Sequence, residues 1–283
     1  MAPRLRVLRH ESELGAWELV RRAPGPGLRD YVVEYEGYDE RGAAVQVQRQ
    51  QIPVARLPLI VNFGSRWSAS ATPDGTRELH DSFFAGMFDR STYVAASGAA
   101  SCAQVNLTPL GAHLLFGLPM HEVANRIVAL EDVVPRALAS LDERLRDQAD
   151  WESRFGLLDE IFTDRLASVR APAPDVAWAW HALERTNGRV PIGWICDRLG
   201  RSRRHLATRF REQIGLPPKT VARIMRFERA VSLLSRNDAG LAAIAFESGY
   251  YDQAHMNRDF REFAGTSPAA FAPQIVFEGG IVV

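Results

Sequence analysis

Two stretches near the end of this 283-residue chain repeat one another, and the repeat limits the folds open to that part of the sequence. Ile192, Ile195, Cys196, Leu199 and Gly200 are matched 49 positions later by Leu241, Ile244, Ala245, Ser248 and Gly249. This spacing of apolar residues predicts a short helix with one buried face. The glycine after each helix can adopt the left-handed conformation in which many helices end.

A second helix is predicted directly after each glycine. Ser202, Leu206, Phe210, Arg211, Glu212, Gly215 and Pro218 correspond, 50 positions later, to Asp252, Met256, Phe260, Arg261, Glu262, Gly265 and Pro268. Serine and aspartate commonly cap the start of a helix, so Ser202 and Asp252 mark where the second helices begin. Each copy therefore predicts a helix, a glycine turn and a capped helix, which is the helix-turn-helix arrangement.

The face of each second helix that is opposite its apolar residues carries side chains that can contact bases. These are Arg203, Arg204, Ala207, Thr208 and Arg211 in the first copy, and Gln253, Ala254, Asn257, Arg258 and Arg261 in the second. In a DNA major groove, arginine fits guanine, and asparagine or glutamine fits adenine. A solvated helix face is the alternative interpretation, and the presence of two copies in register favours DNA recognition.

The segment between the copies predicts a long connecting helix over residues 219–235. At about 1.5 Å per residue it would be roughly 26 Å long. A helix of this length could hold the two recognition helices near one DNA turn apart, roughly 34 Å, so that both enter the major groove. Its basic residues are expected either to contact phosphates or to form surface salt bridges. They are Lys219, Arg223, Arg226 and Arg229.

The chain has no formal net charge, but its charge is unevenly distributed. Between Asp175 and Pro273 there are 15 Lys and Arg against 10 Asp and Glu, a net charge of +5, so the remainder carries −5. This asymmetry is typical of a basic DNA-binding module joined to an acidic domain.

The stretch from Gly249 to Pro268 resembles the signature of the AraC/XylS family of bacterial transcription regulators, and Leu199 to Phe210 is similar to the family's other helix-turn-helix. The resemblance covers about residues 175–273 and implies a seven-helix DNA-binding domain that can act as a monomer. It places the base-reading positions at Arg203, Arg204, Ala207, Thr208, Gln253, Ala254, Asn257 and Arg258. It also implies an N-terminal domain with a cupin-like barrel for a small molecule, followed by helices that mediate dimerisation.

The N-terminal part predicts strands followed by helices. Residues 28–110 alternate short β-prone runs with turn residues, which indicates a β-sandwich or barrel whose first strand follows Pro24 to Gly27. From about Met120 to Val169 the pattern is helical, with an apolar stripe formed by Trp151, Phe155, Leu158, Phe162 and Leu166. Packing of this stripe on its own β domain is favoured, and a dimer interface is the alternative.

The predicted fold class is therefore α+β. The N-terminal β-sandwich or barrel with trailing helices occupies residues 1–169, and the all-α domain with two helix-turn-helix units occupies residues 176–273. A proline-containing linker at residues 170–175 joins them, and residues 274–283 form a tail.

Residues that could bind a ligand in the β region form no ordered motif. The aromatic candidates are Tyr35, Phe63, Trp67, Phe83, Phe84 and Phe88, for which a packed core is favoured over a cavity; the polar candidates are Arg56, Arg66, His80 and Asn106. His80, His113 and His121 are isolated, and Cys102 and Cys196 lack metal or disulfide spacing. We therefore expect no metal, cofactor or enzymatic activity.

Together these features predict a cytoplasmic, homodimeric DNA-binding transcription regulator that binds double-stranded promoter DNA. A small-molecule effector is expected to act through the N-terminal domain, with RNA polymerase as a further candidate partner and no membrane association. Two alternatives assign the N-terminal domain to protein interaction or to a cupin-type enzyme.

Overall fold

The computed structural model describes residues 4–12, 15–42, 47–96, 100–135, 138–236, 239–272 and 280–282. Within these residues, a β-rich N-terminal half precedes a helical C-terminal half that ends in one short strand, which confirms the predicted α+β class. No helix in these ranges is long and apolar enough to cross a bilayer.

The strands of the described chain are β1 Arg6–Ser12, β2 Gly15–Arg22, β3 Val32–Gly42, β4 Val47–Gln51, β5 Leu57–Asn62, β6 Trp67–Ser70, β7 Glu78–His80, β8 Phe83–Ala85, β9 Thr92–Ala96, β10 Ser101–Leu107, β11 Ile127–Ala129 and β12 Gly280–Val282. The helices are α1 Pro109–Phe116, α2 Leu130–Val133, α3 Leu141–Arg146, α4 Trp151–Ala167, α5 Pro174–Arg185, α6 Ile192–Leu199, α7 Arg203–Ile214, α8 Pro218–Leu234, α9 Leu241–Glu247, α10 Gln253–Ala264 and α11 Pro268–Phe271. Two short 3-10 turns lie at Pro26–Leu28 and Met120–Glu122.

The strands form two antiparallel sheets. The larger sheet has the order β1-β2-β3-β10-β5-β8-β11, and the smaller has the order β12-β4-β9-β6-β7. Of the two architectures that the sequence allowed, the structure has the open sandwich and not a closed barrel. In the C-terminal tail, Gly280–Val282 pairs with β4.

Two details of the sequence interpretation were wrong. The hairpin β1–β2 precedes Pro24 to Gly27, so this turn leads to the third strand and not to the first. The edge strand β1 was missed because it carries four charged or histidine side chains and lacks a clean apolar alternation. Helix also begins earlier than Met120, at Pro109, and β11 interrupts the helical region.

The apolar stripe of α4 packs on the outer face of the larger sheet. The ring of Phe155 stacks on that of Tyr35 with centroids 5.6 Å apart, and Trp151 lies against Gly37, where any side chain would collide with the indole. This confirms packing on the chain's own β domain for Trp151, Phe155, Leu158 and Phe162, which are buried and therefore not available to a dimer interface, whereas Leu166 is half-buried.

A polar contact fixes α4 at the same place. The Asp159 carboxylate accepts hydrogen bonds from the buried Arg22 guanidinium, from the Tyr35 hydroxyl (2.9 Å) and from the backbone N–H of Gly25 (3.0 Å). Arg22 also donates to the carbonyl of Phe155 at 2.7 Å. One carboxylate therefore joins α4 to two strands and to the turn that leads into β3.

The C-terminal half contains seven helices, α5 to α11, among the described residues, as the family resemblance implied. The connecting helix α8 has the predicted 17 residues and begins one position earlier than expected. Its Phe227 packs edge-on against Phe260 and Phe263 of α10 and against Phe271 of α11. This aromatic cluster joins the second helix-turn-helix to α8.

The two halves contact each other directly. Helix α7 packs against α1 and against the Met120–Glu122 turn, and the Gln213 side chain accepts a hydrogen bond from the backbone N–H of Ala173 (3.1 Å). Residues 170–173 are non-helical, at the position of the predicted linker. The exact domain boundaries at residues 169, 175 and 273 stay predictions.

Candidate nucleic-acid interface and internal cavity

Both repeat copies form a short helix, a glycine turn and a second helix. In the first, α6 ends at Gly200, which has φ of 61°, and α7 follows; in the second, α9 is followed by Gly249, with φ of 82°, and α10. Positive φ favours glycine because other L-residues are strained there. Both second helices are capped as expected, since Ser202 accepts from the N–H of His205 (3.1 Å) and Asp252 from the N–H of His255 (2.7 Å).

These caps give a modest stability prediction. Ser202→Ala and Asp252→Ala should each lower the free energy of unfolding by about 1 kcal/mol, because each leaves a backbone N–H of the first helical turn without its side-chain acceptor. Urea unfolding followed by far-UV circular dichroism measures the loss. The matched change Ser235→Ala, at the end of α8 where the side chain caps no N–H, should cost less. Equal losses at all three positions would contradict the capping role.

The structure brings the five candidate residues of α7 onto one exposed stripe. Arg203, Arg204, Thr208 and Arg211 are exposed, and Ala207 is half-buried beside them. Leu206 and Phe210 face the opposite way and are buried. The three arginines form no ion pair with any residue that the structure describes, so their guanidinium groups are available to an external anion or base.

The same arrangement recurs on α10. Gln253, Ala254, Arg258 and Arg261 are exposed, and Asn257 is half-buried with its side-chain oxygen unpaired within the described chain. Met256 and Phe260 are buried on the other side.

Sequence reasoning did not single out Tyr251, which immediately precedes the Asp252 cap and is 94% exposed. Its position at the turn before the stripe is the signal that could have identified it.

Two of the basic residues on α8 have a structural role. Arg223 donates to Asp259 at 2.8 and 3.1 Å and to Glu262, both on α10. Hydrogen bonds to Glu262 raise the Arg223 pKa, and the same contact lowers the Glu262 pKa. Arg226 donates to the carbonyl of Gly188 at 2.9 Å. For Arg223 the salt-bridge alternative is therefore correct, since it joins α8 to the second recognition helix.

A cavity of about 490 Å³ lies between the two sheets. Alternate residues of the larger sheet line one wall of the cavity: Trp17, Leu19 and Arg21 on β2, and Phe83 and Ala85 on β8. The opposite wall belongs to the smaller sheet and includes Arg49 and Gln51 on β4. Because successive side chains of a strand face opposite ways, the remaining alternate residues, such as Leu59 and Val105, form the core under the helices.

Three of the six aromatic candidates line the cavity, and the other three do not. Trp67, Phe83 and Phe88 line it, and Phe83 also packs with Ile60, Cys102 and Trp67 in a small apolar cluster, so lining and packing coexist at Phe83 and Trp67. Tyr35 and Phe84 are core residues, as favoured, and Phe63 packs against Trp151 with centroids 6.4 Å apart.

Of the four polar candidates, only Arg56 lies in the cavity lining. Arg66 is 3.6 Å from Asp81, and His80 packs on Phe83. Asn106 lies outside the lining, where it donates to Glu36 and accepts from Gln104, which are both lining residues. Polar lining residues that the sequence analysis did not assign to a ligand site include Arg21, Glu36, Tyr38, Arg49, Gln51, Cys102 and Gln104. Burial raises the pKa of the Cys102 thiol to about 12, so the thiol stays protonated and unreactive near neutral pH.

One wall of the cavity contacts the helix-turn-helix half. The backbone N–H of Ala55, between the lining residues Val54 and Arg56, donates to the Glu228 carboxylate of α8 at 2.9 Å. Burial raises the pKa of Glu228, opposed by Arg56 and by this hydrogen bond. Gln50, between Arg49 and Gln51, donates to the carbonyl of Ala264 at the end of α10 (3.1 Å).

A neighbouring contact acts at the same end of α10. The Ser91 hydroxyl, which also accepts from Gln50 at 2.8 Å, donates to the carbonyl of Phe263 at 2.6 Å. Thr92, the next residue, lies in the cavity lining. The strands that surround the cavity therefore hold the C-terminal end of the second recognition helix by direct hydrogen bonds.

Within the described residues, no three His, Cys, Asp or Glu side chains are grouped so as to hold a metal ion.

Comparison with known proteins gives matches to both halves of the chain. A family described as a helix-turn-helix domain matches residues 195–274, and a domain of unknown function (DUF6597) matches residues 20–129. A search of curated proteins found no match.

Solved structures show low identity to the chain. ToxT from Vibrio cholerae is 12% identical, with 84% of this chain and 97% of that chain covered and a TM-score of 0.47. The C-terminal domain of AraT, a response regulator from Geobacillus stearothermophilus, is 19% identical, with 38% and 92% covered and a TM-score of 0.35. The AraC-like transcriptional activator CuxR is 14% identical, with 87% and 90% covered and a TM-score of 0.33.

Proposed function

We propose that this chain, a DNA-binding transcription regulator of the AraC/XylS family, reads two adjacent half-sites in promoter DNA with α7 and α10, and that a small molecule in the N-terminal cavity controls this binding. The observation that carries the proposal is the pair of equivalent exposed stripes, one on each capped second helix. Arginine, asparagine and glutamine side chains on one face of the second helix of a helix-turn-helix can contact base edges in the major groove.

Each stripe has its own recognition chemistry. Arg203, Arg204 and Arg211 on α7 suit guanine edges or phosphates, and Thr208 can donate or accept at a base edge. On α10, Gln253 and Asn257 suit adenine, and Arg258 suits guanine. The neighbouring alanines, Ala207 and Ala254, leave room for a close approach to the bases, and Arg261, one turn beyond Asn257, suits a phosphate.

The base-reading role of α10 is tested at Arg258. Arg258→Ala should weaken binding to the selected DNA site by about 1–3 kcal/mol and relax the preference at one base pair, because a bidentate contact to guanine is lost. Fluorescence anisotropy with the best site and its single-base variants measures both effects. Arg144→Ala, an exposed arginine of α3 in the N-terminal half, is the matched control and should change neither. An equal loss on specific and random DNA would assign Arg258 to phosphate contact.

The proposed effector control rests on the cavity and its contacts. A cavity of about 490 Å³ is within the range of small-molecule sites, and this favours a ligand over a protein-interaction role for the N-terminal domain. The cavity walls bond to α8 through Ala55 and to α10 through Gln50 and Ser91. A ligand that binds one arrangement of these contacts more tightly than another must shift DNA affinity by the same free energy.

We also propose self-association, which the family resemblance implies, and contact with RNA polymerase as a further partner. Because the apolar stripe of α4 is buried within its own domain, dimerisation must use another surface. Light scattering of the full chain, with and without operator DNA, would show whether one or two copies bind.

A further inference from the structure

We infer that the cavity binds an organic monoanion with an apolar, ring-containing body, and that its acidic group pairs with Arg49. This inference rests on the proposed effector function, because it names the chemical class of the effector that the cavity would take.

The charged residues that line the cavity differ in whether a partner of opposite charge neutralises them. Glu36 is the one acidic residue in the described lining, and it is paired with Arg21 at 3.3 Å and accepts from Asn106 at 3.1 Å. Arg49 is half-buried and has no carboxylate within ion-pair distance among the described residues. A half-buried guanidinium with no acidic partner is poorly compensated, so an anionic ligand gains a charge-assisted hydrogen bond there.

The Arg49 guanidinium is held in place and still has donors to offer. One of its terminal nitrogens donates to the Tyr38 hydroxyl at 3.2 Å, and the group lies over the Tyr38 ring at 5.6 Å. Tyr38 in turn donates to Glu40 at 3.1 Å. Since an arginine carries five N–H donors, this single bond fixes the side chain and leaves donors for a carboxylate.

A second unsatisfied donor belongs to the same lining. The indole N–H of Trp67 is buried and has no hydrogen-bond partner within the described chain. A buried donor without a partner costs free energy. The two donors lie on neighbouring parts of the smaller sheet, β4 and β6, which are both paired to β9. Arg49 therefore supplies the donors on this wall for an anionic ligand end, and the Trp67 ring supplies an aromatic surface beside them.

The opposite wall suits an apolar body. Trp17, Phe83, Phe88, Ile60 and Ile127 line it, and aromatic faces bind flat rings with little loss of freedom. At about 30 Å³ for each water, the cavity holds the equivalent of roughly 16 water molecules. A ligand with one or two rings and one acidic group fits this volume.

The test uses three probes that differ only at one end: biphenyl-4-carboxylate, biphenyl-4-methanol and biphenyl-4-methylamine. Isothermal titration calorimetry with the full chain should give a Kd for the carboxylate at least 10-fold lower than that for the alcohol, and the weakest binding for the amine. Arg49→Met should remove the preference for the carboxylate and leave the alcohol affinity unchanged. That unchanged affinity also shows that the cavity is intact.

Two further variants sharpen the result. Arg49→Lys keeps the charge and should retain part of the preference, whereas Arg66→Met changes an exposed arginine outside the lining and should have no effect. Alcohol binding equal to or tighter than carboxylate binding, no carboxylate binding, or a preference that survives in Arg49→Met would overturn the inference.

Anisotropy with operator DNA separates this inference from the proposed function. If the alcohol binds more tightly and changes DNA affinity, effector control stands and the anionic class is wrong. If the carboxylate binds as expected without changing DNA affinity, the ligand class stands and effector control through the cavity is wrong.

Discussion

Replacing Arg223 by methionine is expected to lower the free energy of unfolding of the helix-turn-helix half by about 3–5 kcal/mol, because the change removes the partner of a buried carboxylate. The Asp259 side chain is only 3% exposed, and its Oδ1 accepts both hydrogen bonds from Arg223. The methionine keeps the apolar contact with Phe263 but cannot compensate the charge. Urea unfolding monitored by helix content measures the loss.

The control is the second acidic partner of the same arginine. Glu262 is 55% exposed, so Glu262→Gln should cost no more than about 1 kcal/mol. Arg223→Met should also weaken DNA binding at the half-site read by α10, since Arg223 positions that helix from α8. Stability of Arg223→Met equal to that of Glu262→Gln would show that Asp259 does not depend on the ion pair.

The second large effect is expected in the N-terminal half. Asp159→Ala should lower its free energy of unfolding by about 3–5 kcal/mol, because Arg22, whose side chain is 5% exposed, then loses its nearest carboxylate. Tyr35 and the N–H of Gly25 lose their acceptor in the same change. Intrinsic tryptophan fluorescence is a suitable probe, since Trp151 packs in the same layer.

Glu152→Gln is the matched control for this prediction. Glu152 lies 3.4 Å from Arg22 but is 54% exposed, so its loss should cost no more than about 1 kcal/mol. If Asp159→Ala were as stable as Glu152→Gln, the carboxylate would not be what holds α4 on the sheet. The free energy of unfolding of the N-terminal half should fall in Asp159→Ala, whereas the affinity of the helix-turn-helix half for DNA should change little.

The C-terminal half could be predicted from the sequence because its signals are local. Gly200, Gly249, Ser202 and Asp252 each determine a turn or a helix start within a few residues, and the repeat supplies each signal twice. The length of α8 followed from its apolar periodicity for the same reason. The partner of Arg223 could not be predicted, since Asp259 lies 36 positions away and only the packing of α8 against α10 brings them together.

The N-terminal half depends on contacts that a sequence pattern does not contain. Alternation on a strand shows which residues share a face, but not whether the facing sheets touch. That is why the cavity beside Trp67 and Phe83 was not favoured from the sequence, although both residues also pack in a small apolar cluster. The sequence does not distinguish Arg49 from other arginines on strands. In the structure, no carboxylate within the described residues pairs with Arg49, whereas Arg66 lies beside Asp81.

The most direct test of the account is selection of bound sequences from a random DNA pool by the full-length protein. Two short motifs should be enriched, with centres about one helical turn, or roughly 10 base pairs, apart. The same selection with Arg258→Ala should relax one motif and leave the other intact. Binding that selects no sequence and responds only to salt, or a single motif that is insensitive to Arg258, would contradict recognition by two helices.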